Sequence, residues 1–200
     1  MSDFFRDFVL TFVPLFIVID AFGNIPFLVS VGEDLEPRQR RSVVHVAVLT
    51  ATLVGLVFLF FGQFILNVLH IPVGSFAIAG GLILLILSIQ HMITGHMVTA
   101  AREEMVAVVP IGTPLTVGPA TITTLLLLAL QFPLYTVLVA FVLNMIITWV
   151  VFLLGQRISR FLGRGGLRAV SRVFSLLLAA LGVNMMLQGL DLVGIVHLGG

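Results

Sequence analysis

The residues best equipped for chemistry stand where a membrane helix would ordinarily be featureless. The stretch "IVIDAFGNIPFLVS", Ile17 to Ser30, is hydrophobic apart from an acid at Asp20, Gly23 and Asn24 side by side, and Pro26. A charged side chain at bilayer depth costs about 2.5–3.5 kcal/mol on insertion scales and usually marks an ion or substrate path. Asp20 can hold a substrate ammonium, a sodium ion or a proton, and Asn24 adds a neutral donor and acceptor. Pro26 has no N–H, so a helix through it would leave the Phe22 carbonyl free. It also biases Ile25 away from helical angles, and Gly23 loosens the backbone further. The opposing reading is that the kink serves shape alone, with Asp20 a neutral structural partner of Asn144 or Asn184.

A second interruption, "TPLTVGPATITT" at Thr113 to Thr124, again joins glycine and proline, without the acid or the amide. Gly118 and Pro119 break the run, and Pro119 is expected to free the Leu115 carbonyl. Thr116, Thr121, Thr123 and Thr124 supply hydroxyls, which can serve a ligand or bond their own helix backbone. In lipid a freed backbone group needs a partner or a polar cavity, so both interruptions belong inside the bundle. The helix N-termini they open would present a positive dipole end to a carboxylate. Asn144 and Asn184 are secondary candidates and equally good interhelical glue.

The chain around these motifs is 60% hydrophobic over 200 residues, with a mean hydropathy of +1.22. So much apolar surface calls for a bilayer as solvent. Six windows are long enough to cross a core of about 30 Å: Phe8–Val31, Val43–Leu69, Pro72–Met92, Val106–Leu130, Leu134–Gln156 and Val173–Val196. The expected fold is therefore an all-α polytopic membrane protein forming one membrane domain over 1–200. The N-terminus does not read as a cleaved signal peptide, because Asp3 and Asp7 contradict a basic leader.

All ten basic residues are arginines, and nine fall in the connections after spans one, three and five. Only Arg6 lies on the other side. Short basic loops resist translocation, so segments 32–42, 93–105 and 157–172 are expected in the cytoplasm and both termini outside. The membrane is then a plasma membrane, bacterial inner or archaeal. The basic segments also suit anionic lipid, and nothing in the charge pattern points to nucleic acid.

The two halves resemble each other. "LFFGQFILNVL" at Leu59–Leu69 aligns with "FLLGQRISRFL" at Phe152–Leu162, pairing Gly62-Gln63 with Gly155-Gln156. Each half opens on a Val-Pro pair followed by a Gly/Pro interruption. Repeats of three spans, 1–95 and 106–200, must enter the membrane in opposite senses. That is the inverted-repeat plan of many secondary transporters, in which broken helices meet near the midplane. Gly80, Gly81 and Gly182 read as sites of close helix packing. The histidines His45, His70, His91 and His96 lie near span ends and share no metal-ligand spacing, so they read as interfacial, with no metal site. Cysteine is absent, and no phosphate loop, nucleophile elbow or carboxylate pair is present, so no enzyme and no cofactor is expected.

The two motifs together resemble the MarC family of membrane proteins over essentially the whole chain. "DAFGNIPFLVS" is similar to that family's D-P-x-G-N-x-P signature, with Ala21 where a proline is usual, and "PIGTPLTVGPATITT" is similar to its second signature. The Ala21 departure removes one helix break and predicts a softer first interruption. The resemblance implicates Asp20, Gly23, Asn24, Pro26, Thr116, Gly118, Pro119, Ala120 and Thr121 in substrate binding. The family is named for multiple antibiotic resistance, and a related branch, SnatA, is associated with transport of small neutral amino acids. The leading expectation is thus a secondary transporter of a small neutral amino acid or similar zwitterion, coupled to a proton or sodium ion through Asp20. An exporter of drugs or metabolites and a non-transporting scaffold are the alternatives, and a homo-oligomer is compatible with each.

Overall fold

Glu36-Pro37-x-Gln39 opens the longest uninterrupted apolar helix, with the Glu36 N–H donating to Gln39 Oε1 at 3.2 Å and Pro37 in the first turn, where its missing N–H costs nothing. The computed structural model describes residues 2–31, 35–94 and 117–196. These form seven helices and no strand: α1 (Ser2–Ile19), α2 (Ile25–Val31), α3 (Pro37–Val68), α4 (Val73–Thr94), α5 (Pro119–Gln131), α6 (Leu134–Leu153) and α7 (Gly155–Leu192). Pro37–Val68, Val73–Ile93, Leu134–Leu153 and Gly165–Leu192 are each long and apolar enough to cross a membrane unbroken. The first expected span is split into α1 and α2. The fourth is described only from Val117 onward, so the expected residues 106–116, Thr116 among them, lie outside the described set.

Two expected connections are corrected. Of 32–42, the part from Pro37 onward is helix, because the Glu36–Gln39 cap starts α3 ahead of Arg38, Arg40 and Arg41. At 32 residues, α3 runs about 48 Å at 1.5 Å per residue, well beyond the apolar core, so its basic first turns extend past it. Segment 157–172 is likewise helical within α7, interrupted only at Gly163, whose φ of 63° a glycine adopts at little cost. Ile158 and Leu162 bury one side of that segment against the core, while Arg157, Arg160 and Phe161 stand exposed on the other. Accordingly the helix at the fifth expected span stops at Leu153 rather than Gln156, and the apolar helix at the sixth runs over Gly165–Leu192 rather than Val173–Val196.

The largest helix contact is α4 on α7. On α4 the buried positions Gly74, Ala77, Gly81, Leu84, Ser88 and His91 recur at alternating three- and four-residue steps. On α7 Ser171, Ser175, Leu178, Gly182, Met185 and Gly189 do the same. This is the spacing of a helix-pair seam. A methyl group on Gly182 would meet the Gly81 carbonyl oxygen at 2.7 Å, and one on Gly189 would meet that of Gly74 at 2.6 Å. Between helices in lipid, such small residues allow the backbone approach on which packing depends. Gly80 instead faces α5, where a methyl would strike the side chain of Thr123.

Around this pair, α1 packs on α5 and α6, α2 on α7, and α3 on α5 and α6. The main core gathers Leu15, Ile19, Ala21 and Ile25 with Val48, Leu125, Phe141 and Phe152. His70 takes φ 55° after α3, where the Ile71 N–H returns to the Leu66 carbonyl at 2.9 Å. Gly194, at φ 78°, does the same after α7, with the Ile195 N–H on the Leu190 carbonyl at 3.0 Å. Both ends are left-handed caps of the kind glycine ordinarily supplies.

Candidate functional site

The α1 helix ends because Asp20 turns left-handed, at φ 45°. Aspartate tolerates this conformation better than most residues, since its short side chain can bond locally. Here the Gly23 N–H donates to Asp20 Oδ1 at 3.0 Å, closing a turn around the carboxylate. Asn24 completes it. Its Nδ2 donates to the Asp20 carbonyl at 2.9 Å and the Ile19 carbonyl at 3.3 Å, satisfying acceptors that the end of α1 leaves open. Pro26 falls in the first turn of α2, where no N–H is needed. The Phe22 carbonyl, expected to be free, instead accepts from the Ile25 N–H at 3.2 Å. The break is therefore a full turn out of the helix over Asp20–Asn24, Ala21 notwithstanding.

A side chain at position 23 would displace the Asp20 carboxylate. A methyl there would collide with the Asp20 carboxylate, lying 2.6 Å from Cγ and 2.7 Å from Oδ1. Asp20 and Asn24 are 0% and 1% exposed. Asp20 Oδ2 and Asn24 Oδ1 have no hydrogen-bond partner among the described residues. Two buried acceptors thus lie beside the turn that the Gly23 and Asn24 hydrogen bonds close. Buried acceptors left unpaired cost roughly 1–3 kcal/mol each, and strained, under-satisfied polar sites of this sort cluster at functional positions.

The described part of the second interruption opens a helix that packs on α1. Gly118 is extended and Pro119 opens α5 as its first residue, as Pro26 stands in the first turn of α2. Val117 shares a core cluster with Ala21 and Ile25, and Ala120 shares one with Val18. Helix α5 itself packs on α1. Thr121 is buried in its first turn. Thr123 and Thr124 are directed elsewhere: each hydroxyl donates to its own helix, to the Pro119 carbonyl at 2.8 Å and the Ala120 carbonyl at 2.9 Å. Thr124 also meets Met185 Sδ of α7 at 3.6 Å.

The asparagines separate from the site. Asn144 on α6 donates to the Phe12 carbonyl of α1 at 3.2 Å and to Ala140 of its own helix at 2.9 Å. It ties two helices together two turns from Asp20. Asn184 is exposed on α7, one position off the buried seam that contains Met185. Neither is the partner of Asp20.

That neighbour is a histidine. His91 of α4, read from sequence as interfacial, is 2% exposed, and its Nδ1 lies 3.9 Å from Asp20 Oδ2. Helix α4 is apolar on nearly every side, so its pattern gives no obvious inward face. The signal that could have found His91 is the three- and four-residue stripe running from Gly74 through Gly81 and Ser88. His45, by contrast, is exposed and accepts a hydrogen bond from Trp149 Nε1 at 2.9 Å, an arrangement suited to a membrane interface.

An aromatic ladder approaches the break. Phe4, Phe8, Phe12 and Phe16 stack in succession along α1 at centroid separations of 6.3, 5.4 and 6.0 Å. Phe16 and Phe22 both meet Phe174 of α7, at 6.0 and 5.9 Å. The rings thus run from the start of α1 to the edge of the Asp20 turn.

Comparison with known proteins places these features in a wider group. Residues 5–193 match the model of a MarC family integral membrane protein. The chain is 33% identical over 183 residues to the inner membrane protein YhgN of Escherichia coli, covering 89% of this chain and 93% of that one. It is 30% identical over 196 residues to a membrane protein of Methanocaldococcus jannaschii, covering 92% and 95%. No solved structure matches.

Proposed function

The chain belongs to the MarC family of integral membrane proteins, and from that premise we propose that it is a secondary transporter of small neutral amino acids or similar zwitterions. The observation that carries this reading is the broken helix at Asp20–Asn24. Its two buried acceptors, Asp20 Oδ2 and Asn24 Oδ1, suit a substrate ammonium. The N-terminus of α5 suits the carboxylate, because helix amides and their dipole favour an anion there. At Gly118, just before that terminus, a methyl would meet nothing within 4 Å among the described residues. Asp20 is also the residue through which a coupling ion acts.

An inverted repeat agrees with the helix pairing. Taking α1 with α2 as span one and α5 as the described part of span four, span one packs on span five as span two packs on span four. Spans three and six form a pair of their own. Pro26 and Pro119 are 93 positions apart, the same offset as Gly62 and Gly155. Broken helices meeting between two such repeats are the setting for alternating access. The arginine distribution supports cytoplasmic basic segments and outward termini.

Export of larger amphipathic compounds is the second reading, and the aromatic ladder on α1 is the observation in its favour. The polar turn at the ladder's inner end favours the zwitterion. Purified protein in liposomes tests the choice. Uptake or exchange of labelled glycine, alanine or serine is expected. No movement of any of them, under either a proton or a sodium gradient, would sink the transporter reading for this substrate class.

A further inference from the structure

We propose that His91 receives the proton that a substrate ammonium displaces from Asp20, which makes the coupling ion a proton rather than sodium. The inference rests on the transporter reading above and adds to it a residue and an ion. Its basis is geometric. Asp20 belongs to the break after α1, His91 to α4, and both side chains are fully buried with Nδ1 and Oδ2 3.9 Å apart. One Asp20 oxygen is held by the Gly23 N–H, which aims the other toward the imidazole.

No other titratable side chain faces the pair among the described residues. On α1, Asp3 and Arg6 are exposed and Asp7 is more than two turns from the break. The described parts of α2 and α5 contain no titratable side chain, and Tyr135 of α6 is exposed. On α7, Arg157, Arg160, Arg168, Arg172 and Asp191 are exposed. Among the described residues, Asp20 and His91 are the titratable members of the buried polar set. Charge inside a membrane bundle is expensive unless compensated, so a pair that is neutral as a unit has one proton to distribute between carboxyl and imidazole. An arriving ammonium takes the carboxylate as its counter-ion. The Asp20 O–H bond then breaks with its electron pair remaining on oxygen, and an N–H bond forms on His91 to give an imidazolium. Transfer requires an approach to about 3 Å or one intervening water, a tightening that ligand-free sites commonly undergo on binding.

The seam beside His91 carries serines, of which Ser88 donates to the Leu85 carbonyl at 2.7 Å and Ser175 to the Ser171 carbonyl at 2.8 Å. Ser88 lies one turn earlier on the same face of α4, and the antiparallel register set by the two glycine pairs brings Ser175 level with Ser88 and Ser171 beside His91. All three serines are buried. A sodium site would call for several oxygen ligands in place of an imidazole. Among the described residues, the buried side-chain oxygens of the Asp20 turn that lack a partner are Asp20 Oδ2 and Asn24 Oδ1.

The experiment uses the full chain in sodium-free liposomes and two readouts with labelled alanine: counterflow, which needs no driving ion, and accumulation driven by an imposed pH gradient. The wild type is expected to show both, with a pH change in the medium accompanying alanine entry. His91→Gln is expected to retain counterflow at a reduced rate while pH-driven accumulation falls to the equilibrium level. Absence of counterflow in the wild type would overturn the transporter reading and this inference with it. Counterflow without pH-driven accumulation in the wild type, or accumulation driven by a sodium gradient alone, would overturn the inference and leave the transporter reading standing. Full pH coupling in His91→Gln would do the same. The wild-type measurements decide the matter even if the variant does not fold.

Discussion

Gly23→Ala is the smallest change that probes the geometry of the break. The added methyl would lie 2.6 Å from Asp20 Cγ and 2.7 Å from Oδ1, whereas carbon contacts ordinarily begin near 3.5 Å. The carboxylate must therefore retreat by roughly 1 Å or rotate, since α1 and α2 fix the backbone on either side. Either movement loses the Gly23 N–H bond to Oδ1, and a hydrogen bond to a charged or strongly polar group contributes about 1.5–3 kcal/mol. Residual crowding adds about 1 kcal/mol. In a chain of this size each kcal/mol moves the melting temperature by about 2–4 °C, so a drop of roughly 5–15 °C in detergent is expected. Displacing a binding group by about 1 Å can cost about 100-fold in rate, so alanine exchange should fall further than stability does. Gly155→Ala is the matched control: its methyl would meet only Leu28 and Ile25 side chains, at 3.8 and 3.9 Å. If Gly23→Ala melts and exchanges like the wild type, the Asp20 turn is not built as described.

Other substitutions test other parts of the account. Gly182→Ala places a methyl 2.7 Å from the Gly81 carbonyl and should separate α4 from α7, lowering the melting temperature by several degrees and weakening the His91–Asp20 approach; an unchanged melt would count against the seam. His70→Gly removes the cost of a left-handed histidine after α3 and should stabilise by about 0.5–1 kcal/mol, read as a slightly higher melting temperature. Asn184→Leu should leave both melting and exchange unaltered, because Asn184 is exposed and off the seam. Asn144→Ala should cost only about 0.6 kcal/mol, the average for a hydrogen bond between membrane helices, with little effect on substrate affinity.

The sequence was most legible where it departs from apolar monotony. Asp20, Gly23, Asn24 and Pro26 located the first break within a few residues, since each opposes a continuous helix by a separate mechanism. Pro119 located the start of α5 for the same reason. The division of labour inside those motifs was less visible. Thr123 and Thr124 look the same in sequence whether they face a ligand or bond their own helix, and rotation about the helix axis decides between the two. Asn184 lies a single position off the seam, and because a helix turns by about 100° per residue, one step carries a side chain from a buried face to an exposed one. His91 was missed because a lone histidine near a span end is equally compatible with headgroups and with the interior. The basic stretches looked like loops because charge signals the end of the apolar core, not the end of the helix, and helices α3 and α7 continue past it.

The account turns on whether a small zwitterion sits in the Asp20 turn, and alanine binding to purified protein, measured calorimetrically for the wild type and Asp20→Asn, tests this most directly. Asparagine retains an acceptor for the Gly23 N–H and tolerates the left-handed backbone, so the variant should fold and melt near the wild type while losing the ionic partner of the ammonium. Saturable binding to the wild type that is abolished or weakened at least tenfold in a folded Asp20→Asn is the predicted result. Equal affinity in the two proteins, or no binding to the wild type, would contradict the central claim.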